Sequence, residues 1–120
     1  MLKPIPSKIL RSTASVKVCN GIDTYQHQTY DDYTISKVHL QPTNEVRKTA
    51  NNTEVVLRSI LFVDAHTSTP HIDWYALLQQ AHQIGGDMRV IVRGQEFTVV
   101  GVDALRDDTD NLHHWEVALV

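Results

Sequence analysis

Asp64, His66 and Ser68 fall at alternate positions of the stretch Val63-Asp64-Ala65-His66-Thr67-Ser68-Thr69-Pro70. An acid, an imidazole and a hydroxyl are the groups that nucleophilic catalysis combines. In a strand, residues two apart share a face and lie roughly 6–7 Å from one another. Proton relay needs contacts of about 2.6–3.2 Å, and triads draw their members from separate segments. The spacing therefore argues against a triad, and the chain has no G-x-S-x-G elbow or glycine-rich oxyanion loop. A strand exit is expected instead: Asp64 closes the strand, Thr67, Ser68 and Thr69 bond locally to turn backbone, and Pro70 removes the next donor.

Metal chemistry is the other option, since His66, His71, His82, His113 and His114 supply five imidazoles. None has a recognised ligand spacing, no H-E-x-x-H is present, and adjacent histidines in a strand face opposite ways. No metal, cofactor or small-molecule substrate is expected. Asp31-Asp32 and Asp107-Asp108 lie in polar runs where solvated charge is the ordinary role. Cys19, the single cysteine, has no partner for an internal disulfide or a C-x-x-C motif and reads as an inert thiol.

The elements that would carry these residues are mostly β, short strand-like runs separated by polar clusters. Ile9 to Val18 reads as a first strand and Tyr33 to Leu40 as a second, with the polar run Cys19 to Asp32 between them as an exposed excursion bearing Tyr25, Tyr30, Asp31 and Asp32. Residues 41–54 offer almost nothing apolar and predict a long loop, in which Arg47 and Lys48 are the only basic pair, followed by Asn51 and Asn52. Composition leaves that loop without buried area to offset an ordering cost of roughly 1–2 kcal/mol per residue, so it is expected to be mobile until a partner orders it.

The next strand is apolar on both faces from Ile60 to Val63 and needs a cover. The segment from Asp73 is the expected one: Trp74, Leu77, Leu78, Ala81 and Ile84 follow helical spacing, Asp73 caps the start and Gly85 ends it. A hairpin follows, with Gly94-Gln95 in a type II′ turn that sets Arg93 opposite Glu96 and Val92 opposite Phe97. In the last strand His113, Trp115, Val117 and Leu119 alternate with His114, Glu116, Ala118 and Val120. A mainly β, small antiparallel barrel or sandwich of about six strands with one inserted amphipathic helix is the expected fold.

At 120 residues, the chain suits one domain spanning 1–120, able to bury roughly two thirds of its unfolded surface. A net charge of −3 gives no overall basic field for holding a polyanion. The opening MLKPIPSKIL has too short an apolar run for a signal peptide or membrane span, so cytoplasmic synthesis and no membrane partner are expected.

Together, LFVDAHTSTP, RVIVRGQEFTVVGV and HHWEVALV, with the opening MLKPIPSKIL and the LQPT before the polar loop, carry a likeness over nearly the whole chain. It resembles the minor capsid proteins of tailed bacteriophages and prophages, placed among head–tail connector or head-completion proteins. The resemblance implies an assembly role without enzyme activity: a homo-oligomeric ring of small β-barrels under the portal, formed after DNA packaging. Such a ring acts as adaptor or stopper, touches a portal or adaptor protein and a tail-side protein, and lets DNA pass without specific binding. It would sit at the head–tail junction of a virion made in the bacterial host cytoplasm, and Arg47, Lys48, Asn51, Asn52, Tyr25, Tyr30, Asp31 and Asp32 are its candidate interface or channel residues. The alternatives are a small histidine-containing metalloprotein or enzyme, and an OB-type nucleic-acid-binding barrel. The last is weakened because the tyrosines of TYDDY stand beside acids and not beside Lys or Arg.

Overall fold

The computed structural model describes residues 12–48, 52–66 and 68–120. Six strands form one closed antiparallel barrel: β1 (Ser12–Ile22), β2 (Gln28–Pro42), β5 (Ser59–Asp64), β8 (Leu112–Leu119), β7 (Gln95–Arg106) and β6 (Met88–Val92), in that order around the ring. β3 (Val46–Lys48) and β4 (Glu54–Val56) make a separate two-stranded ribbon, and α1 (Trp74–Gln83) is inserted between β5 and β6. The mainly β expectation with one inserted helix holds. Closure follows from β6 pairing with β1, Ala14 to Val92 through Val18 to Met88.

Alternation makes the interior. Ala14, Val16 and Val18 of β1, Leu61 and Val63 of β5, Val90 and Val92 of β6, and Phe97 and Val99 of β7 point inward, while Ser15 and Lys17 point out. α1 lies against β1, β6 and β7, and its buried Trp74, Leu78 and Ala81 enter this same cluster. Asp73 caps the helix by accepting from Ala76 N–H at 3.0 Å, and Gly85 takes φ +77° just past its end. Ile84, placed on the apolar stripe by periodicity, lies beyond the last helical turn and is exposed.

The residues Cys19 to Asp32 do not make an excursion. β1 and β2 stay paired outward to Ile22 opposite Gln28, so the excursion shrinks to a tight turn from Asp23 to His27. The side chain of Asp23 holds that turn by accepting from the amides of Tyr25 (2.8 Å) and His27 (2.9 Å), which supplies locally what apolar burial does not. Residues 9–11 of the predicted first strand lie outside the described residues.

The long loop expected over 41–54 is also corrected. β2 runs on to Pro42, and Val46, Arg47 and Lys48 pair with Val56, Val55 and Glu54. This ribbon, with Leu57, covers the outer face of β5: Leu57, Ile60 and Ala118 form a second buried cluster flanked by Val55, Phe62, Val100 and Val120. The second face of β5 is thus covered by the ribbon and its neighbours, and not by α1 as expected.

The β6–β7 turn sits one residue earlier than predicted, at Arg93-Gly94, with φ of +52° and +74°, the two left-handed residues of a type I′ turn. Val92 pairs with Gln95 and Val90 with Phe97. Moving a turn by one residue moves the pairing by two, so Val90, Val92, Phe97 and Val99 keep their inward face. The predicted Arg93–Glu96 pair is replaced by Arg89–Glu96 at 3.1 Å, and Arg93 reaches Ser12 instead.

Candidate functional site

The Asp64–Pro70 stretch carries β5 out of the barrel. The Asp64 amide donates to Ser68 Oγ at 3.0 Å, the Ser68 hydroxyl donates to the Lys37 carbonyl, and the His66 amide donates to Asp64 Oδ1 at 2.8 Å. Thr69 then bridges Ser36, whose amide donates to the Thr69 carbonyl at 2.8 Å. The hydroxyl that a nucleophile would need is 1% exposed and engaged on both sides, and the His66 side is exposed. Lys37 has φ +61° where the β1–β2 register shifts, so the exit segment is bonded to an irregularity in β2. Asp64, Ser68, His71, Asp73, Trp74 and Trp115 line a cleft of about 180 Å³ beside this exit.

The histidines divide. His71 Nε2 contacts the His66 carbonyl at 3.1 Å in an exposed loop. His113 and His114 meet, with 2.8 Å between their Nδ1 atoms, and His114 Nε2 lies 3.0 Å from Glu116 Oε2. The expectation that adjacent histidines face apart fails because β8 is irregular here: Leu105 pairs with His114 and Arg106 with Leu112, so the register of β8 against β7 shifts across His113. Among the described residues there is no group of three or more His, Cys, Asp or Glu placed to hold a metal ion.

The candidate interface residues occupy two regions. Tyr25 stands at the β1–β2 tip, 80% exposed. Behind it Asp31 accepts from Asn20 at 2.8 Å, Asp32 lies opposite Lys17, and the Tyr30 hydroxyl donates to Asp87 Oδ1 at 3.0 Å. Burial, then the hydrogen bond and charge of Asp87, push the Tyr30 phenol above its ordinary pKa. The second region is the ribbon. Arg47 donates to Glu45 and to Asp103 of β7, each at 2.9 Å, and these carboxylates hold its guanidinium more firmly protonated. Lys48 and Asn52 are exposed, and Asn51 lies outside the described residues. The two regions lie toward opposite ends of β2, 15 residues or roughly 50 Å of strand.

Two residues that sequence reasoning passed over stand out on the ribbon. Val46 and Val56 pair across it and are 56% and 61% exposed, on the face turned away from Arg47 and Val55. The ribbon thus presents an apolar cross-strand pair to water. Two valines in a polar run gave no periodic signal, and only the pairing places them together.

Residues 6–119 match the minor capsid protein family. The chain belongs to that family. No curated protein and no solved structure matches it. The family makes this minor capsid protein a structural component of a virion, in keeping with a β fold whose exit-loop hydroxyl serves backbone hydrogen bonding. Among the described residues no helix is long and apolar enough to cross a membrane.

Proposed function

We propose that this minor capsid protein is a head–tail connector subunit of a tailed bacteriophage or prophage. Its copies form a ring below the portal after DNA packaging, as adaptor or stopper, with the whole chain acting as one connector domain. The observation that carries this reading is the ribbon: a family of virion structural proteins, combined with an outward Val46–Val56 pair that the chain's own barrel does not cover. Arg47 supports it by tying the ribbon to β7 through Asp103, which sets the direction in which the apolar pair is offered. Tyr25 at the far tip provides a second contact for a portal-side, adaptor or tail-side neighbour. The net charge of −3 suits a ring whose lumen passes DNA without adhering to it.

Imaging purified protein with DNA-filled phage heads tests the proposal. A ring at the portal vertex, seen only with filled heads, is the expected result. Density spread over the capsid faces, or no association, would overturn it.

A further inference from the structure

We propose that His113 and His114 form a two-imidazole site for a late first-row divalent cation, of which Cu2+ is the tightest-binding case. The irregularity in β8 turns the two adjacent rings toward each other with their Nδ1 atoms 2.8 Å apart. Two nitrogens bound to one ion at about 2.0–2.1 Å, separated by 90° to 110°, lie roughly 2.9–3.4 Å apart, so a movement of a few tenths of an ångström admits the ion.

Glu116 fixes the tautomer. Its Oε2 faces His114 Nε2 at 3.0 Å, so a neutral His114 carries its proton on Nε2 and presents a bare Nδ1. That lone pair accepts the Nδ1 proton of His113. When the ion takes the place of this proton, the proton leaves to the other nitrogen of the same ring or to solvent. A carboxylate behind a ligating imidazole is the arrangement that orients metal ligands and raises their basicity. His114 and Glu116 are only 17% and 22% exposed, which limits competing solvation, and the Phe62 ring, 6.1 Å away, packs on the same imidazole. Water fills the remaining positions, because no third protein ligand stands nearby among the described residues. Imidazole donors select Cu2+, Ni2+ and Zn2+ over Mg2+ and Ca2+.

Titration with CuCl2, followed by calorimetry and electron paramagnetic resonance, tests the site. The wild-type protein should bind one equivalent with two nitrogen donors. His114→Ala and His113→Asn should each remove one donor, and Glu116→Gln should weaken binding by about tenfold or more. His113→Asn retains an amide donor toward His114 and so preserves the strand, with circular dichroism as the check. His71→Ala should leave the titration unchanged. Absence of stoichiometric binding in the wild type, or equal affinity and unaltered spectra in the His113 and His114 variants, would overturn the proposal.

Discussion

Ser68 and Lys37, 31 positions apart, are joined by a hydrogen bond from the Ser68 hydroxyl to the Lys37 carbonyl, and Ser68 Oγ in turn accepts from the Asp64 amide at 3.0 Å. The local turn bond that the residue types suggest is thus present, and the bond to Lys37 adds a tertiary clasp to it. Ser68→Ala should leave a buried amide and a carbonyl unsatisfied and cost about 1–3 kcal/mol. His66→Ala, at an exposed position, should stay within about 0.5 kcal/mol of wild type. Urea unfolding of the two variants separates them; equal small losses would mean that the clasp contributes no more than a turn.

Gly86 passes directly behind Cys19, whose amide donates to the Asp87 carbonyl at 3.0 Å. A Cβ on Gly86 would stand 2.2 Å from Cys19 Sγ and 2.5 Å from its Cβ. Gly86→Ala should therefore destabilise by about 1–3 kcal/mol through forced displacement of β1 or the helix exit. Cys19→Ala in the same background should relieve this only in part, since the Cβ contact remains. A thermal shift close to zero for Gly86→Ala would show that the α1–β6 connection yields freely.

Tyr30 sets an alkaline limit. Burial and Asp87 favour its protonated form in the folded state, raising its pKa. The resulting stability is fully present below the unfolded phenol's value near 10 and is lost as pH rises through the higher folded value. Between about pH 9 and 12 the wild type should lose stability more steeply than Tyr30→Phe. Parallel urea midpoints in the two proteins would remove Tyr30 from the alkaline transition.

How far the sequence reveals this molecule depends on whether each signal is local. Asp73, the Trp74–Leu78–Ala81 stripe and Gly85 act within a few residues, so α1 is legible from spacing alone. Inward alternation in β6 and β7 is legible for the same reason. The ribbon is not, because its strands Val46–Lys48 and Glu54–Val56 and the adjoining Leu57 are held by partners remote in sequence: Arg47 by Asp103, and Leu57 by Ala118. The facing of His113 and His114 depends on a register shift between β7 and β8, which no spacing within β8 encodes. The turn was displaced because Arg93, a residue that rarely adopts left-handed backbone, occupies a position that usually holds Asn or Gly.

That last mismatch gives a stabilising substitution. Asn tolerates positive φ where a long side chain is penalised, and Asn-Gly is the preferred type I′ pair. Arg93→Asn forfeits the 3.2 Å bond by which the exposed Arg93 reaches the buried Ser12. The net effect should be a gain of about 0.5 kcal/mol. Gly94→Ala, at φ +74°, should lose about 1 kcal/mol. Denaturant midpoints decide, and a destabilised Arg93→Asn would give the Ser12 contact more weight than its exposure implies.

The ribbon allows folding and assembly to be separated. Val46 and Val56 contribute little to the barrel, since the ribbon is fastened by its opposite face through Arg47 and Val55. Replacing both valines by lysine should cost the subunit no more than about 1 kcal/mol, chiefly because the two lysines face each other across the ribbon. In the proposed ring the same change puts two charges into an apolar contact, and burying unpaired charge is strongly unfavourable. Light scattering of the purified variant should find monomers under conditions where the wild type forms rings, with amide exchange at Val46–Lys48 and Glu54–Val56 fast in the variant and slowed in the wild-type ring. Rings from the doubly substituted protein at wild-type concentration would exclude this face of the ribbon from the subunit interface, and would leave the Tyr25 tip to carry the contact.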